Sequence, residues 1–164
     1  MNVKLDQLDL AILSILQTNC KATTAELAKL LGKPRTTIAS RLDKLLSSGI
    51  IRSFRAILDY KKLGFSLTAF IFLTVKRGEA SNQVMLAEQI VDSCKGNPSL
   101  WVEEVNIITG RYDIMMKIRV KSLEELTRFL IDFLPKFKDV ERSETFLVLQ
   151  TIEEYQPISL QVIK

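Results

Sequence analysis

The sequence predicts an α+β protein, with an N-terminal winged helix-turn-helix domain followed by a C-terminal ferredoxin-like βαββαβ domain. Residues 1–50 repeat apolar side chains at the helical period, whereas residues 65–164 alternate helices with strands of period two. Between these regions the segment DYKKLG interrupts both patterns. We therefore place the helix-turn-helix domain at 1–50, a connecting strand and linker at 51–64, and the βαββαβ domain at 65–164.

Two helices open the first domain, and both carry signals for their ends. Asp6 can cap a helix that runs to about Thr18. Thr23 and Glu26 form a capping box at the start of the second helix, which Gly32 can end in a left-handed conformation. These signals predict two short helices that are complete before the next turn begins.

A third helix, predicted over 34–48, has one apolar stripe and one polar face. The stripe, at positions i, i+4, i+7 and i+8, consists of Ile38, Leu42, Leu45 and Leu46. Pro34 suits the start of this helix, where a missing N–H leaves no hydrogen bond unmade. Because about three residues join it to the second helix, the pair predicts a helix-turn-helix motif. Residues 50–58 then predict a strand that would form a wing or a connecting ribbon.

The second domain shows the element order βαββαβ. The predicted strands are 65–76, 100–109, 112–120 and 140–152, and the predicted helices are 79–94 and a segment that Pro135 ends. With both helices on one face, the other face of the antiparallel sheet would stay open. The apolar candidates for that face are Phe70, Phe72, Trp101, Leu147 and Leu149. So much apolar surface predicts a homodimer made sheet to sheet.

Positive charge is concentrated in the first domain. Residues 1–64 hold 11 Lys and Arg against 5 Asp and Glu, a net charge of +6, whereas residues 65–164 hold 12 against 14. A local basic excess around one helix is typical of a nucleic-acid-binding domain joined to a domain with another task. Solvated surface lysines are the alternative explanation, and composition alone weighs the two equally.

Composition also excludes several function classes. The chain has no histidine, which removes Ser/His and Cys/His nucleophile pairs and histidine-containing zinc sites. Cys20 and Cys94 match no metal or disulfide spacing, so we expect reduced thiols. The longest uncharged run, 63–75, is 13 residues, against about 20 for a membrane span, and the N-terminus is charged where a signal peptide would be apolar. We expect a cytoplasmic protein with no membrane partner, no metal, no cofactor and no enzymatic activity.

The polar face of the third helix supplies candidates for DNA contacts. For base edges in the major groove, the first turns offer Arg35, Thr36, Thr37 and Ser40. For phosphates, the cationic candidates are Lys33, Arg41, Lys44, Arg52 and Arg55. Arg41 has an alternative role of equal weight, an ion pair within the domain.

The chain resembles the Lrp/AsnC family, also called feast/famine regulatory proteins. The resemblance lies in the runs LDQLDLAIL, TTAELAKLLGKPRTTIASRLDKLLSSGIIRSFRAILDYKKLG and TGRYDIMMKI, and it covers nearly the whole chain. It implies a transcriptional regulator that binds double-stranded DNA, with a C-terminal effector and oligomerisation domain of the RAM type. It also implies homodimers that assemble into tetramers or octamers. Lys33-Pro34 departs from the Leu-Ser that the family often has there, which removes a serine cap.

The resemblance further implies a small amino acid as effector, bound near the hairpin. The candidate pocket residues are Thr109, Gly110, Arg111, Tyr112 and Asp113. We hypothesise that Gly110 admits the ligand close to the backbone and that Asp113 pairs with its α-ammonium group. The alternative is a plain hairpin, whose glycine supplies a positive φ and whose aspartate caps the turn.

Two other functions stay open on the sequence alone. An architectural DNA-binding protein would bind broadly, without a defined operator or effector. A small enzyme or metabolite-binding module would use the βαββαβ domain, but the sequence has no nucleophile beside a base and no glycine-rich cofactor loop.

Overall fold

The computed structural model describes residues 4–77 and 82–160, which divide into two compact units. The first unit comprises 4–57 and 152–160, and the second comprises 58–151. Residues 152–160 therefore belong to the first unit, whereas the sequence predicted them in the 65–164 domain. It is held by Gln17, whose side-chain amide exchanges two hydrogen bonds with the backbone of Ile158, at 2.8 and 3.2 Å.

Three helices form the first unit, and their ends follow the predicted signals. They are α1 (Gln7–Thr18), α2 (Thr24–Leu31) and α3 (Arg35–Ser47). Asp6 caps α1, and Thr23 with Glu26 forms the predicted capping box of α2. Gly32 ends α2 with a φ of 60°, which glycine adopts without steric cost.

The core of the first unit lies between its three helices. The buried side chains are Ile12, Leu16, Leu27, Ala28, Ile38 and Leu45. The predicted stripe of α3 is only partly buried, because Leu42 is half-buried and Leu46 is 43% exposed. The helix therefore buries a narrower line, from Ile38 to Leu45, than its apolar residues alone indicate.

Residues 52–58 form no strand within the described chain, so the strand predicted at 50–58 is wrong for a single copy. A strand needs a neighbour for its backbone hydrogen bonds, and the described residues supply none here. The carbonyl of Arg55 lies 3.6 Å from the thiol of Cys20 instead. Phe54, Ile57 and Leu58 remain exposed.

A buried carboxylate joins α1 to α3. Asp9 has no exposed surface; its Oδ1 lies 3.1 Å from Arg41 Nη1, and its Oδ2 lies 3.1 Å from Lys44 Nζ. Arg41 also contacts Asp6 at 2.5 Å. The hydrogen bonds to Asp6 and then Asp9 raise the pKa of Arg41, so this guanidinium stays charged. Because a buried carboxylate is costly without cationic partners, this Asp9 cluster fixes α3 against α1.

The second unit is a four-stranded antiparallel sheet with its helices on one face. The strands are β1 (Leu67–Val75), β2 (Leu100–Ile107), β3 (Ile114–Val120) and β4 (Val140–Leu147), in the order β2-β3-β1-β4. The helices are α4 (Gln83–Cys94) and α5 (Leu123–Arg128), which continues as a π-helical turn (Phe129–Phe133) and a 3₁₀ turn (Leu134–Lys136). This order confirms the predicted ferredoxin-like fold. The predicted start of α4 at residue 79 lies outside the described residues.

The core of the second unit lies between the sheet and these helices. The sheet contributes Ala69, Ile71, Leu73 and Val75 from β1, and Ile114, Met116, Ile118 and Val120 from β3. The helical side contributes Leu86, Ala87, Ile90, Cys94, Leu126, Phe129 and Leu134. The alternation predicted for β3 is therefore confirmed, since every second residue from Ile114 to Val120 is buried.

The opposite side of the sheet, here called the outer sheet face, carries Phe70, Phe72, Trp101 and Phe146. The register pairs Phe70 with Phe146, and the rings of Phe72 and Phe146 pack edge to face with centroids 5.6 Å apart. Trp101 is 36% exposed and Phe146 is 51% exposed. Tyr60 packs against Trp101, with ring centroids 4.8 Å apart, so the aromatic surface that this face leaves exposed is centred on Phe146.

Two of the residues predicted for the outer sheet face lie elsewhere. Leu147 pairs with Ala69, which belongs to the helix-facing side, and neighbours along a strand alternate between faces. Leu149 follows the end of β4 and is 96% exposed. Phe146 occupies the outer-face position predicted for Leu147, because the alternation of faces along β4 is displaced by one residue from the prediction.

We expect Asp9→Asn to lower the stability of the first unit by about 2 kcal/mol, because Arg41 and Lys44 lose a buried anionic partner. Thermal unfolding followed by far-ultraviolet circular dichroism measures the helical transition. The fluorescence of Trp101, the single tryptophan of the chain, reports on the second unit separately. The matched control is Asp43→Asn, which removes an exposed carboxylate of α3 and should change stability by less than about 0.5 kcal/mol. Equal unfolding of Asp9→Asn and the original protein would contradict the role of the cluster.

The two free thiols should differ in reactivity. Burial raises the pKa of Cys94 to about 11, whereas Cys20 is partly exposed. Because the thiolate is the reacting species, we expect one fast-reacting thiol per native chain with an aromatic disulfide reagent, and two after denaturation. Cys20→Ser should abolish the fast reaction, and two fast thiols in the native protein would show that Cys94 is accessible.

Candidate DNA-binding surface and effector pocket

The exposed side of α3 carries the residues predicted to contact bases. Arg35, Thr36 and Ser40 are exposed, and Thr37 is half-buried. Thr36 and Ser40 lie four residues apart, which places them on one side of the helix. Asp43 continues that side and is exposed as well. The first two turns of α3 therefore present an arginine and hydroxyl groups, and the next turn presents a carboxylate.

The first turn of α3 lacks a side-chain cap. Pro34 occupies the N-cap position, one residue before the predicted helical position, and its carbonyl accepts a hydrogen bond from Ile38 N–H at 3.1 Å. Proline has no side-chain acceptor, so no side chain accepts a hydrogen bond from the first N–H groups of α3. Their partial positive charge adds to that of Arg35 in the same turn.

The structure separates the predicted cations into two groups. Arg41 and Lys44 belong to the Asp9 cluster, which favours the ion-pair alternative for Arg41 and gives Lys44 the same role. Of the predicted DNA contacts, Lys33, Arg35, Arg52 and Arg55 are exposed and form no ion pair within the described residues. These side chains can reach an outside anion without breaking an internal contact.

A cavity of about 500 Å³ opens beside the turn between β2 and β3, and we call it the hairpin pocket. It is lined by Thr74, Val75, Lys76, Arg77, Gln83, Gly110, Arg111, Asp113 and Glu141. Three of the predicted effector residues, Gly110, Arg111 and Asp113, are among them. Gly110 has a φ of 123°, so a side chain at this position would strain the backbone.

Asp113 has a structural role at the floor of the hairpin pocket. Its Oδ2 accepts a hydrogen bond from Val75 N–H, and its Oδ1 accepts one from Gln83 Nε2, both at 2.8 Å. Its own N–H donates to the carbonyl of Leu73 at 2.9 Å. Asp113 therefore ties the end of β1 and the first turn of α4 to the hairpin, which favours the structural alternative over a direct ammonium contact.

The other two predicted effector residues do not line the hairpin pocket. Tyr112 turns towards the outer sheet face, where its hydroxyl donates to the carboxylate of Glu144 and its ring centroid lies 5.3 Å from that of Phe72. The hydrogen bond to Glu144 raises the pKa of Tyr112, so the hydroxyl stays protonated at neutral pH. Thr109 is exposed and lies outside the lining.

Sequence reasoning missed the pocket residues that come from other strands and from α4. They are Thr74, Val75, Lys76, Arg77, Gln83 and Glu141. The one local signal was the pair Lys76-Arg77 directly after a long apolar strand. The register supplies the rest, because Leu73 lies opposite Ile114 and Val75 lies opposite Val140.

Residues 4–77 and 82–160 contain neither a membrane-spanning helix nor a cluster of metal ligands. None of the helices there is long and apolar enough to cross a membrane. The same residues contain no group of three or more Cys, Asp or Glu side chains that could hold a metal ion.

Two family descriptions match the two parts of the chain. Residues 5–52 match the winged helix-turn-helix DNA-binding family, and residues 68–158 match the Lrp/AsnC ligand binding domain. The chain is similar to the HTH-type transcriptional regulator FL11 of Pyrococcus horikoshii, with 39% identity over 154 residues that cover 94% of this chain and 95% of the relative. FL11 of Pyrococcus abyssi is 40% identical over 158 residues, with the same coverage of both chains.

Solved structures show the same architecture. Escherichia coli AsnC is 28% identical, with a TM-score of 0.78 over 95% of this chain and 99% of that one. A transcriptional regulator of Neisseria meningitidis, solved as a complex with L-Met, has a TM-score of 0.82 at 24% identity and matches the fold over 96% of this chain and 97% of that one. The helix caps, the strand order and both family matches lead to one conclusion. The chain belongs to the Lrp/AsnC family of DNA-binding transcriptional regulators.

Proposed function

We propose that this regulator binds a defined operator in double-stranded DNA by inserting the first turns of α3 into the major groove. The observation that carries this proposal is the exposed side of α3, beside an uncapped helix start. Thr36 and Ser40 are exposed there, and Arg35 is exposed and forms no ion pair within the described residues. An arginine can bridge O6 and N7 of guanine, and a threonine can contact the methyl group of thymine. Asp43 would repel phosphates, so the later turns of the helix tilt away from the backbone.

Phosphate contacts come from the cations outside the Asp9 cluster. Lys33 precedes α3, and Arg52 and Arg55 follow it in the exposed segment after the helix. Such contacts position a protein on DNA without selecting the sequence. Arg41 and Lys44 support binding indirectly, because their ion pairs with Asp9 hold α3 in place.

The second unit supplies assembly and effector binding in this proposal. The outer sheet face pairs with that of a second copy to form a homodimer, since its aromatic side chains are otherwise left in water. Dimers assemble further into tetramers or octamers, and the hairpin pocket binds a small amino acid that shifts DNA affinity. The protein acts in the cytoplasm, where its DNA is, and has no catalytic role, in keeping with relatives that are named as transcriptional regulators.

We expect Arg35→Ala to weaken binding to a site selected from random duplexes by about 1 to 3 kcal/mol, and to blur the preference at one base pair. Gel shifts on the selected site and on random DNA of equal length measure both effects. Lys33→Ala is the matched comparison, because loss of a phosphate contact weakens both DNAs alike and lowers the salt slope by about one.

The same gel shifts test the alternative functions. Equal losses on selected and random DNA would assign Arg35 to phosphate and favour an architectural DNA-binding protein. Absence of salt-sensitive DNA binding in the original chain would contradict the proposed function altogether.

We expect Phe146→Arg to convert the homodimer into a monomer at micromolar concentration, because it places a charge in an aromatic interface. Light scattering after size-exclusion chromatography measures the mass. Leu123→Arg, at an exposed leucine of α5, is the control and should leave the mass unchanged. A strictly monomeric original protein would refute sheet-to-sheet pairing.

A further inference from the structure

Three cationic side chains that form no ion pair within the described residues line the hairpin pocket. They are Lys76, Arg77 and Arg111, and all three are exposed. The guanidinium of Arg111 lies over the ring of Tyr112, 5.5 Å from its centroid. Arginine in particular binds a carboxylate through paired hydrogen bonds. The pocket therefore favours a ligand that carries negative charge.

The two carboxylates of the hairpin pocket differ in their bonding. Both oxygens of Asp113 already accept hydrogen bonds, from Val75 N–H and Gln83 Nε2. The side chain of Glu141 is exposed and forms no hydrogen bond or ion pair within the described residues. Glu141 is thus the carboxylate of the pocket that can bind an ammonium group.

Asp113 also orients a second acceptor. Because Gln83 donates its Nε2 to Asp113, the carbonyl oxygen of the same amide faces away from that carboxylate. Gln83 and Glu141 both line the pocket. The pocket therefore combines two acceptors suited to an ammonium group with the three cations suited to carboxylates.

Apolar surface is scarce in this lining. Val75 is the one aliphatic side chain among the described lining residues, and it is 5% exposed. A leucine or methionine side chain would find little apolar surface to pack against here. The lining thus disfavours the large apolar amino acids as ligands of this pocket.

We propose that the hairpin pocket binds an acidic amino acid, L-glutamate or L-aspartate, as the effector; this rests on the proposed function. Among the described lining residues, three cations and two carboxylates give a net charge of +1, which matches the net charge of −1 on either ligand. The two ligand carboxylates contact the cations, and the α-ammonium group contacts Glu141 and the amide oxygen of Gln83.

Other ligand classes leave a group of the pocket unsatisfied. L-Glutamine has the size of L-glutamate but leaves one of the cations without an anion. L-Lysine adds a second positive charge beside the arginines. A dicarboxylate without an amine, such as 2-oxoglutarate, places negative charge against Glu141 with no ammonium group between them.

Isothermal titration calorimetry on the full chain tests the proposal with L-glutamate, L-aspartate, L-glutamine, L-asparagine, L-lysine, L-methionine and 2-oxoglutarate. We expect one of the acidic amino acids to bind at least about tenfold more tightly than its amide, because a carboxylate–arginine contact is lost in the amide. Equal or tighter binding of any other ligand would overturn the proposal. Absence of binding by all seven would overturn it as well.

Two variants assign the roles within the pocket. Arg111→Gln should weaken binding of the acidic amino acid about tenfold and reduce its advantage over the amide. Glu141→Gln should weaken the amino acid but not 2-oxoglutarate, because it removes the ammonium partner alone. Lys138→Gln, which removes an exposed cation outside the pocket, is the charge-matched control and should change affinity less than about twofold. Unchanged Trp101 fluorescence in each variant verifies the fold, and an Arg111→Gln effect no larger than that of Lys138→Gln would contradict the assignment.

Gel shifts without any amino acid separate this inference from the proposed function. DNA binding together with calorimetric silence would overturn the acidic effector and leave the regulator intact. Absence of DNA binding by the original protein would instead contradict the proposed function, whatever the pocket binds.

Discussion

The buried carboxylate of Asp9 is the constraint on which the DNA-binding unit depends. It pairs with Arg41 and Lys44, in the second half of α3, near the start of α1. A helix that reads DNA with its first turns must be held by the turns that follow, and this is where the cluster acts. The same ion pairs also decide which cations of the unit are left for an external polyanion, because a side chain engaged by a buried carboxylate is not free to contact phosphate.

Strand register has the corresponding role in the second unit. The hairpin pocket exists because the end of β1, the start of β3 and the start of β4 meet at one end of the sheet. Asp113 makes this meeting specific, since its backbone and side chain bond to Leu73, Val75 and Gln83. The aspartate of the hairpin therefore shapes the pocket by satisfying backbone and amide donors. Lys76, Arg77 and Glu141, which are distant from it in sequence, add charges to the lining.

Sequence patterns predicted what local interactions decide. Capping residues such as Thr23 and Gly32, the helical period of α1 to α3 and the alternation of β3 gave the elements and their order. The errors arose where a distant partner decides. Lys44 was predicted to contact phosphate, but it pairs with the buried Asp9. Leu147 was predicted on the outer sheet face, but the register places Phe146 there. Residues 52–58 form no strand, because no neighbouring strand is present among the described residues. Lys76 and Glu141 were missed because no short motif relates positions that only the register brings together.

The division of cations links the two units functionally. With Arg41 and Lys44 paired to Asp9, the proposed phosphate contacts near α3 reduce to Lys33, Arg52 and Arg55, and few contacts mean weak electrostatic binding by one copy. Two copies joined through the outer sheet face would present two α3 helices, and the second contact would then form at a high effective concentration. Under the proposed function, specific binding would depend on pairing in the second unit, and a ligand that altered assembly there would control DNA occupancy.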